Sequence, residues 1–333
     1  MSDRQVLEQY LLEEFYDDYR EGLISRRTFV RRVAFITGSM AAAVPAMVAL
    51  GCTPSELPAP TDAIPEPEST ATAALAAATA AGTAAPTSAP TTGPRSPLSV
   101  AADDPAVQAA TTTIDSGGTM VTGYLARPSA AGTYPGVLVC HENRGLTPHI
   151  EDVARRFAKA GYVALALDLL SREGGTATLD RDAVPGMLTD AGPERHVGDF
   201  LAAAEVLKAQ PDVDPARLAM TGYCFGGGIT WRVATQLADL KAAAPFYGPA
   251  PDLAAVPNIR AAVLGVYAEQ DERINAGIAD LEAALKAAGA TYELKVYPGV
   301  NHAFHNDTGE RYNEAQATQA WNDTLAWFAA HGA

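Results

Sequence analysis

From residue 99 onward the apolar positions alternate between two patterns. Short unbroken apolar runs, such as GVLVC at 136–140 and YVALAL at 162–167, predict strands buried on both faces. The same reading predicts strands at 120–127, 218–221, 242–247, 261–267 and 292–297. Helical periodicity fills the gaps, at 150–160, 194–210, 226–238, 278–288 and 315–330. In the last of these, Ala317, Ala320, Trp321, Leu325 and Phe328 recur at helical spacing. Strands alternating with helices imply a mostly parallel sheet covered by helices on both faces. About 235 residues suit one such domain.

The first 98 residues break this pattern. Residues 25–32 read Ser25-Arg26-Arg27-Thr28-Phe29-Val30-Arg31-Arg32, and an uncharged, weakly apolar run follows from Val33 to Leu50. Paired arginines before a modest apolar stretch match a twin-arginine export signal. A single membrane-spanning helix is the alternative, but Gly38, Pro45 and many alanines make the run weakly hydrophobic. The run ends in Ala49-Leu50-Gly51-Cys52, which resembles a lipoprotein cleavage site and makes Cys52 a lipidation candidate. Residues 53–98 are rich in Ala, Thr and Pro. Proline every few residues opposes helix and sheet, so an extended linker is expected. The expected organisation is a signal at 1–52, a linker at 53–98 and a catalytic domain at 99–333. The domain would then lie outside the cytoplasm, tethered through Cys52 or an uncleaved signal.

Composition narrows the function. The 333 residues carry 24 Lys+Arg against 39 Asp+Glu, a net charge of −15, which argues against a nucleic-acid partner. With 48% hydrophobic and 19% charged residues, the chain as a whole is globular rather than disordered. Three cysteines, Cys52, Cys140 and Cys224, are too few for a disulfide scaffold.

The sharpest chemical signal is Gly222-Tyr223-Cys224-Phe225-Gly226, which follows a predicted strand and opens a predicted helix. This is a nucleophile elbow with cysteine at its apex. The turn is so tight that Gly222 and Gly226 are expected to need each other bare. The helix N-terminus beside the sulfur favours thiolate. A phosphate-cradling glycine turn is the rival, but the spacing is not G-x-G-x-x-G. Elbow hydrolases place their acid and then their histidine further along the chain. Asp271 follows the strand at 261–267 and His302 follows the strand at 292–297, both at carboxyl ends, where such sites gather. His305 is the rival base. The other histidines show no metal-ligand spacing, and no metal or cofactor is called for. The loop after 136–140 reads His141-Glu142-Asn143-Arg144-Gly145. Backbone N–H groups of Asn143 and Phe225 are the expected oxyanion hole. Glu142 beside a thiolate is unusual, because its charge raises the thiol pKa. Cys140 reads as a buried strand thiol.

With these residues the chain resembles the dienelactone hydrolase family over about 110–330. The resemblance rests on HENRGL, DLLSR, GYCFGG, EQDERI and GVNHAF, each following a strand or at the elbow. It implies an α/β-hydrolase fold without a large cap. It implies Cys224 as nucleophile, His302 as base, Asp271 as its orienter, and Glu142 as a gate held against the cysteine until substrate arrives. It implies that Arg172 grips a substrate carboxylate. The family's second arginine falls where this chain has Asn306, which weakens the case for the dienelactone itself. The expected activity is hydrolysis of a carboxylic ester or lactone, the substrate being a small molecule, anionic if Arg172 grips it. The alternatives are a broad esterase or thioesterase of the same fold, and a tethered binding protein on an inactive hydrolase scaffold.

Overall fold

The computed structural model describes residues 3–52 and 96–333. The expected linker therefore lies almost wholly outside the described residues. The described chain begins with three helices, α1 (Asp3–Arg20), α2 (Arg26–Thr37) and α3 (Met40–Ala49). A mixed eight-stranded sheet with helices then follows. In chain order its elements are β1 (Val107–Ser116), β2 (Thr119–Pro128), β3 (Tyr134–Cys140), α4 (Pro148–Lys159), β4 (Val163–Leu167), α5 (Val184–Ala191), α6 (Pro193–Lys208) and β5 (Val213–Tyr223). Next come α7 (Phe225–Ala234), β6 (Ala242–Phe246), β7 (Ala262–Ala268), α8 (Glu272–Asn275), α9 (Ile278–Ala288), β8 (Tyr292–Tyr297) and α10 (Glu314–Ala330).

The sheet order is β1-β2-β4-β3-β5-β6-β7-β8. β1–β2 and β2–β4 are antiparallel, and every pairing from β4 onward is parallel. β4, β6 and β7 are buried at every position, so both faces of the sheet's centre are covered. Their continuous apolar runs have that cause. On the cover, Phe157 of α4 meets Trp321 and Phe328 of α10. This is the expected α/β-hydrolase fold, with no separate cap domain among the described residues.

The three N-terminal helices pack on the domain rather than standing apart from it. Leu11, Phe15, Phe29 and Val33 are essentially inaccessible to solvent. Such side chains contribute roughly 1.5–3 kcal/mol each on burial. α2 lies so close to α5 that a Cβ on Gly186 would stand 2.7 Å from the Phe35 carbonyl oxygen. Ion pairs fasten the helices here: Arg31 and Arg32 of α2 pair with Asp180 and Asp182 just ahead of α5, and Arg4 of α1 pairs with Asp190 of α5. Ser25 caps α2 by accepting from the Thr28 N–H, and Gly38 ends it at a φ of 78°. α2 and α3 meet at 108°, and no single helix among the described residues is long and apolar enough to cross a membrane.

Candidate active site

β5 runs straight into α7, and Cys224 is the residue between them. Its φ of 59° and ψ of −120° lie where an L side chain is strained. The Cys224 N–H donates to the Phe246 carbonyl at 3.0 Å, which holds the turn against β6. Gly222 is required as expected: a Cβ there would meet the Gly226 carbonyl oxygen at 2.2 Å. Gly226 has a different reason. Its Cβ would strike the carbonyl oxygens of His141 and Cys140, at 2.4 and 2.6 Å, in the strand end next door. The two glycines thus bring β3 and β5 together at the point where the catalytic loops meet.

His302 and Asp271 arrive from the ends of β8 and β7. The imidazole Nδ1 lies 2.6 Å from Asp271 Oδ2. The other ring nitrogen, Nε2, is buried and has no hydrogen-bond partner. Ligand atoms of Cys224, His302 and Glu14 all fall within 4.8 Å of one another. Burial alone would lower the His302 pKa, but the Asp271 carboxylate outweighs it and holds the imidazole above its ordinary value. Burial would likewise raise Asp271, and the His302 charge instead holds it below the usual carboxylate range. His305 is excluded from this role by position. It is buried, stacked on Tyr223 at 4.7 Å and edge-on to Phe246, with both nitrogens unpartnered.

The loop after β3 lines the cleft beside the sulfur. A cavity of about 240 Å³ there is walled by Glu142, Asn143, Arg144, Cys224, His302 and Asn306, among others. Glu142 does not hydrogen-bond the sulfur. Its Oε2 accepts from Asn306 Nδ2 at 2.6 Å. The Phe225 N–H reaches the sulfur and favours thiolate. Asn143 is buried in the same wall. Arg172 is not brought to the site. Both of its terminal nitrogens bond the Asp199 carboxylate of α6, at 2.6 and 2.8 Å, and it lines neither cavity beside Cys224.

What reaches the sulfur comes from α1. Both carboxylate oxygens of Glu14 lie 3.3 Å from Cys224 Sγ, and the Tyr10 hydroxyl lies 3.4 Å from it. Asn143 Nδ2 donates to Glu14 Oε1 at 2.6 Å. Arg273 Nη2 stands 3.9 Å from Glu14 Oε2, and His302 Nε2 stands 4.0 Å from Oε1. Burial would raise the Glu14 carboxyl, but His302 and Arg273 outweigh it, and the group is held ionised. The thiol is pushed far up, first by burial, then by the charge of Glu14, then by that of Glu142. Cys224 is therefore a neutral, covered thiol in this arrangement. A second cavity, of about 470 Å³, opens on the far side of Glu14 and includes Asp271, Arg273, His302 and Arg311.

Sequence reasoning did not find Glu14, Tyr10 or Arg273. A signal was present: Leu7, Leu11 and Phe15 recur every four residues, ahead of the arginine pair, as an amphipathic helix needs. Glu14, Cys224 and His302 are also donor types that a divalent metal accepts. Cys140 is a buried free thiol on β3, opposite Gly222 in the sheet register. Cys52 is buried just beyond the end of α3.

A profile of the dienelactone hydrolase family matches residues 121–332. A Salmonella typhi protein named as a carboxymethylenebutenolidase is 36% identical over 252 residues, 71% of this chain and 93% of its own. A Methylorubrum extorquens protein of the same name is 34% identical over 226 residues, 64% of this chain and 78% of its own. A Klebsiella pneumoniae structure described as a dienelactone hydrolase superimposes with a TM-score of 0.63 at 35% identity, covering 67% of this chain and 99% of that one.

Proposed function

We propose that this chain, which belongs to the dienelactone hydrolase family and so hydrolyses ester or lactone bonds, does its chemistry on Cys224. The observation that carries this is the elbow cysteine, at a φ of 59°, beside the His302 and Asp271 pair. The open nitrogen of His302 takes the thiol proton. The thiolate adds to the substrate carbonyl, and the oxyanion faces the N–H groups of Phe225 and Asn143. The carbon–oxygen bond breaks, and the leaving oxygen takes the proton from His302. Water, deprotonated by His302, then attacks the thioester; the carbon–sulfur bond breaks, the carboxylic acid leaves, and the Cys224 thiolate takes the proton back from His302. Asp271 keeps the imidazole oriented throughout.

The substrate class is a small carboxylic ester or lactone. Two observations favour a broader esterase over the family's dienelactone. Arg172 is engaged by Asp199, and Asn306 by Glu142, so neither offers an anion site. The twin arginines Arg26 and Arg27 address the chain to the twin-arginine export machinery, and Cys52 or an uncleaved signal tethers it outside the cytoplasm.

The test is steady-state hydrolysis of a matched pair, a carboxylate-bearing enol-lactone and its neutral methyl ester, by the wild-type chain and Cys224→Ala. Activity that survives in Cys224→Ala overturns the cysteine mechanism. Equal rates on the two substrates select the broad esterase.

A further inference from the structure

Glu14 and Tyr10 lie in an 18-residue helix that the hydrolase fold does not require, yet they make the closest contacts to the reactive sulfur. We infer that α1 is an internal ligand of the catalytic cleft: it holds the Glu14 carboxylate on Cys224 where a substrate acyl group would bind, and the enzyme turns over only when α1 leaves. The inference rests on the proposal that Cys224 is the nucleophile.

The contact has the features of a bound ligand. The Glu14 carboxylate is buried, and it meets a thiol, an amide donor, a guanidinium and an open imidazole nitrogen. These are the groups that an acyl substrate meets when it reacts, and the carboxylate has the shape of the product acid. The remainder of the helix is matched to the cleft rim by charge. Asp18 pairs with Arg311 Nη1 at 2.9 Å, and Glu21 accepts from Arg311 and from Asn301 Nδ2. The Arg273 guanidinium covers the Tyr10 ring at 4.7 Å. The opposite edge of the helix is apolar and anchored by Leu7, Leu11 and Phe15. With α1 in place Cys224 is 3% exposed, at the edge of the 240 Å³ cavity.

The same arrangement names a specificity residue. At the edge of the larger cavity Arg273 Nη1 is buried without a hydrogen-bond partner, and Nε stands 3.4 Å from Asp17 Oδ2, which leaves together with Glu14 when α1 does. When Glu14 departs, these donors face the vacated site. Arg273 then becomes the cation for an anionic substrate, a role that Arg172 cannot fill from Asp199. Release is mechanically linked to the arginine-rich segment. α2 follows α1 after five residues and is itself pinned by Arg31 and Arg32. Anything that grips Arg26 and Arg27 and straightens α2 pulls on α1. An enzyme closed until its leader is engaged would not hydrolyse esters where it is made.

The experiment uses the full-length chain and reads alkylation of Cys224 by iodoacetamide, located by peptide mass, beside aryl-ester hydrolysis. Two variants loosen α1 from different sides and leave Cys224, His302 and Asp271 unchanged: Asp18→Arg with Glu21→Arg at the cleft rim, and Leu11→Asp on the apolar edge. The expected result is a wild-type Cys224 that alkylates at least about tenfold more slowly than in either variant, with hydrolysis rising in parallel. Faster alkylation without faster hydrolysis supports the internal ligand and overturns Cys224 as the nucleophile. A wild-type Cys224 that already alkylates as fast as an unprotected cysteine overturns the inference, whatever the variants do.

Discussion

Both oxygens of the Glu14 carboxylate lie 3.3 Å from the Cys224 sulfur, so a negative charge occupies the place where thiolate must form. The consequence is a sign that can be measured. Cys224 faces Tyr10 and Glu14 from α1, Glu142 from the β3 loop, and His302 and Arg273 from the opposite wall. Burial and the two carboxylates oppose ionisation, while Tyr10 and the Phe225 N–H favour it. Glu14→Gln removes one opposing charge and keeps the shape. The pH profile of Cys224 alkylation should therefore move to lower pH. An unmoved profile would mean that burial alone keeps the thiol neutral.

The Asp271 and His302 pair makes a second prediction. Asp271→Asn preserves the volume but removes the charge that raises the imidazole pKa. Burial then dominates, and the His302 titration should fall below its ordinary value by NMR. Turnover should drop by roughly three to four orders of magnitude, because the ring loses its orientation and the stabilisation of its charged form. Linkage fixes the stability window. His302 is raised in the fold, so its contribution is full below about pH 6.5 and is lost as pH climbs through the folded value. Asp271 is lowered, so its contribution is full above about pH 4 and is lost as pH falls through the folded value. The pair thus stabilises the fold most between those two limits, and Asp271→Asn should flatten the pH dependence of the melting temperature there.

Arg172 and Arg273 separate stability from specificity. Arg172→Ala strands Asp199, whose side chain is 1% exposed, with the Ser116 hydroxyl as its remaining side-chain partner. The expected cost is about 3 kcal/mol by denaturant titration, with the preference between anionic and neutral substrates unchanged. Arg273→Gln should do the reverse on the Glu14→Gln background, abolishing any preference for the anionic substrate. If Arg172→Ala alters the preference, the ion pair with Asp199 is not its role.

The strands and the elbow turn were legible because each leaves a local mark. β4, β6 and β7 are apolar throughout, since both of their faces are covered, and the elbow demands its glycines at fixed positions. β8 and α9 fall on the predicted residues. β1 escaped because it is an antiparallel edge strand, VQAATTTIDS, with only Val107 and Ile114 buried. No apolar run marks such a strand. The pairing of Arg172 was not legible, because its partner, Asp199, stands 27 residues later on a different element, and sequence proximity to a strand end says nothing of it. Glu14 was invisible for a related reason. Its partner lies 210 residues away, and the segment carrying it already had a reading as an export leader.

Gly222 makes the last prediction, because it tests whether the elbow's shape is imposed by sterics alone. A methyl group at Gly222 would sit 2.2 Å from the Gly226 carbonyl oxygen and 2.6 Å from its carbon. Both are backbone atoms in a turn held from three sides, so neither can swing away as a side-chain tip would. Gly222→Ala should therefore cost about 3 kcal/mol or more and disorder the Cys224 position. Gly198 supplies the control. It lies within α6, and a Cβ there meets nothing within 4 Å. Gly198→Ala should be neutral or stabilise by up to about 1 kcal/mol, because alanine loses less chain entropy in a helix. Comparable melting temperatures for the two variants would mean that the turn relaxes, and that the strained Cys224 conformation is not enforced by its neighbours.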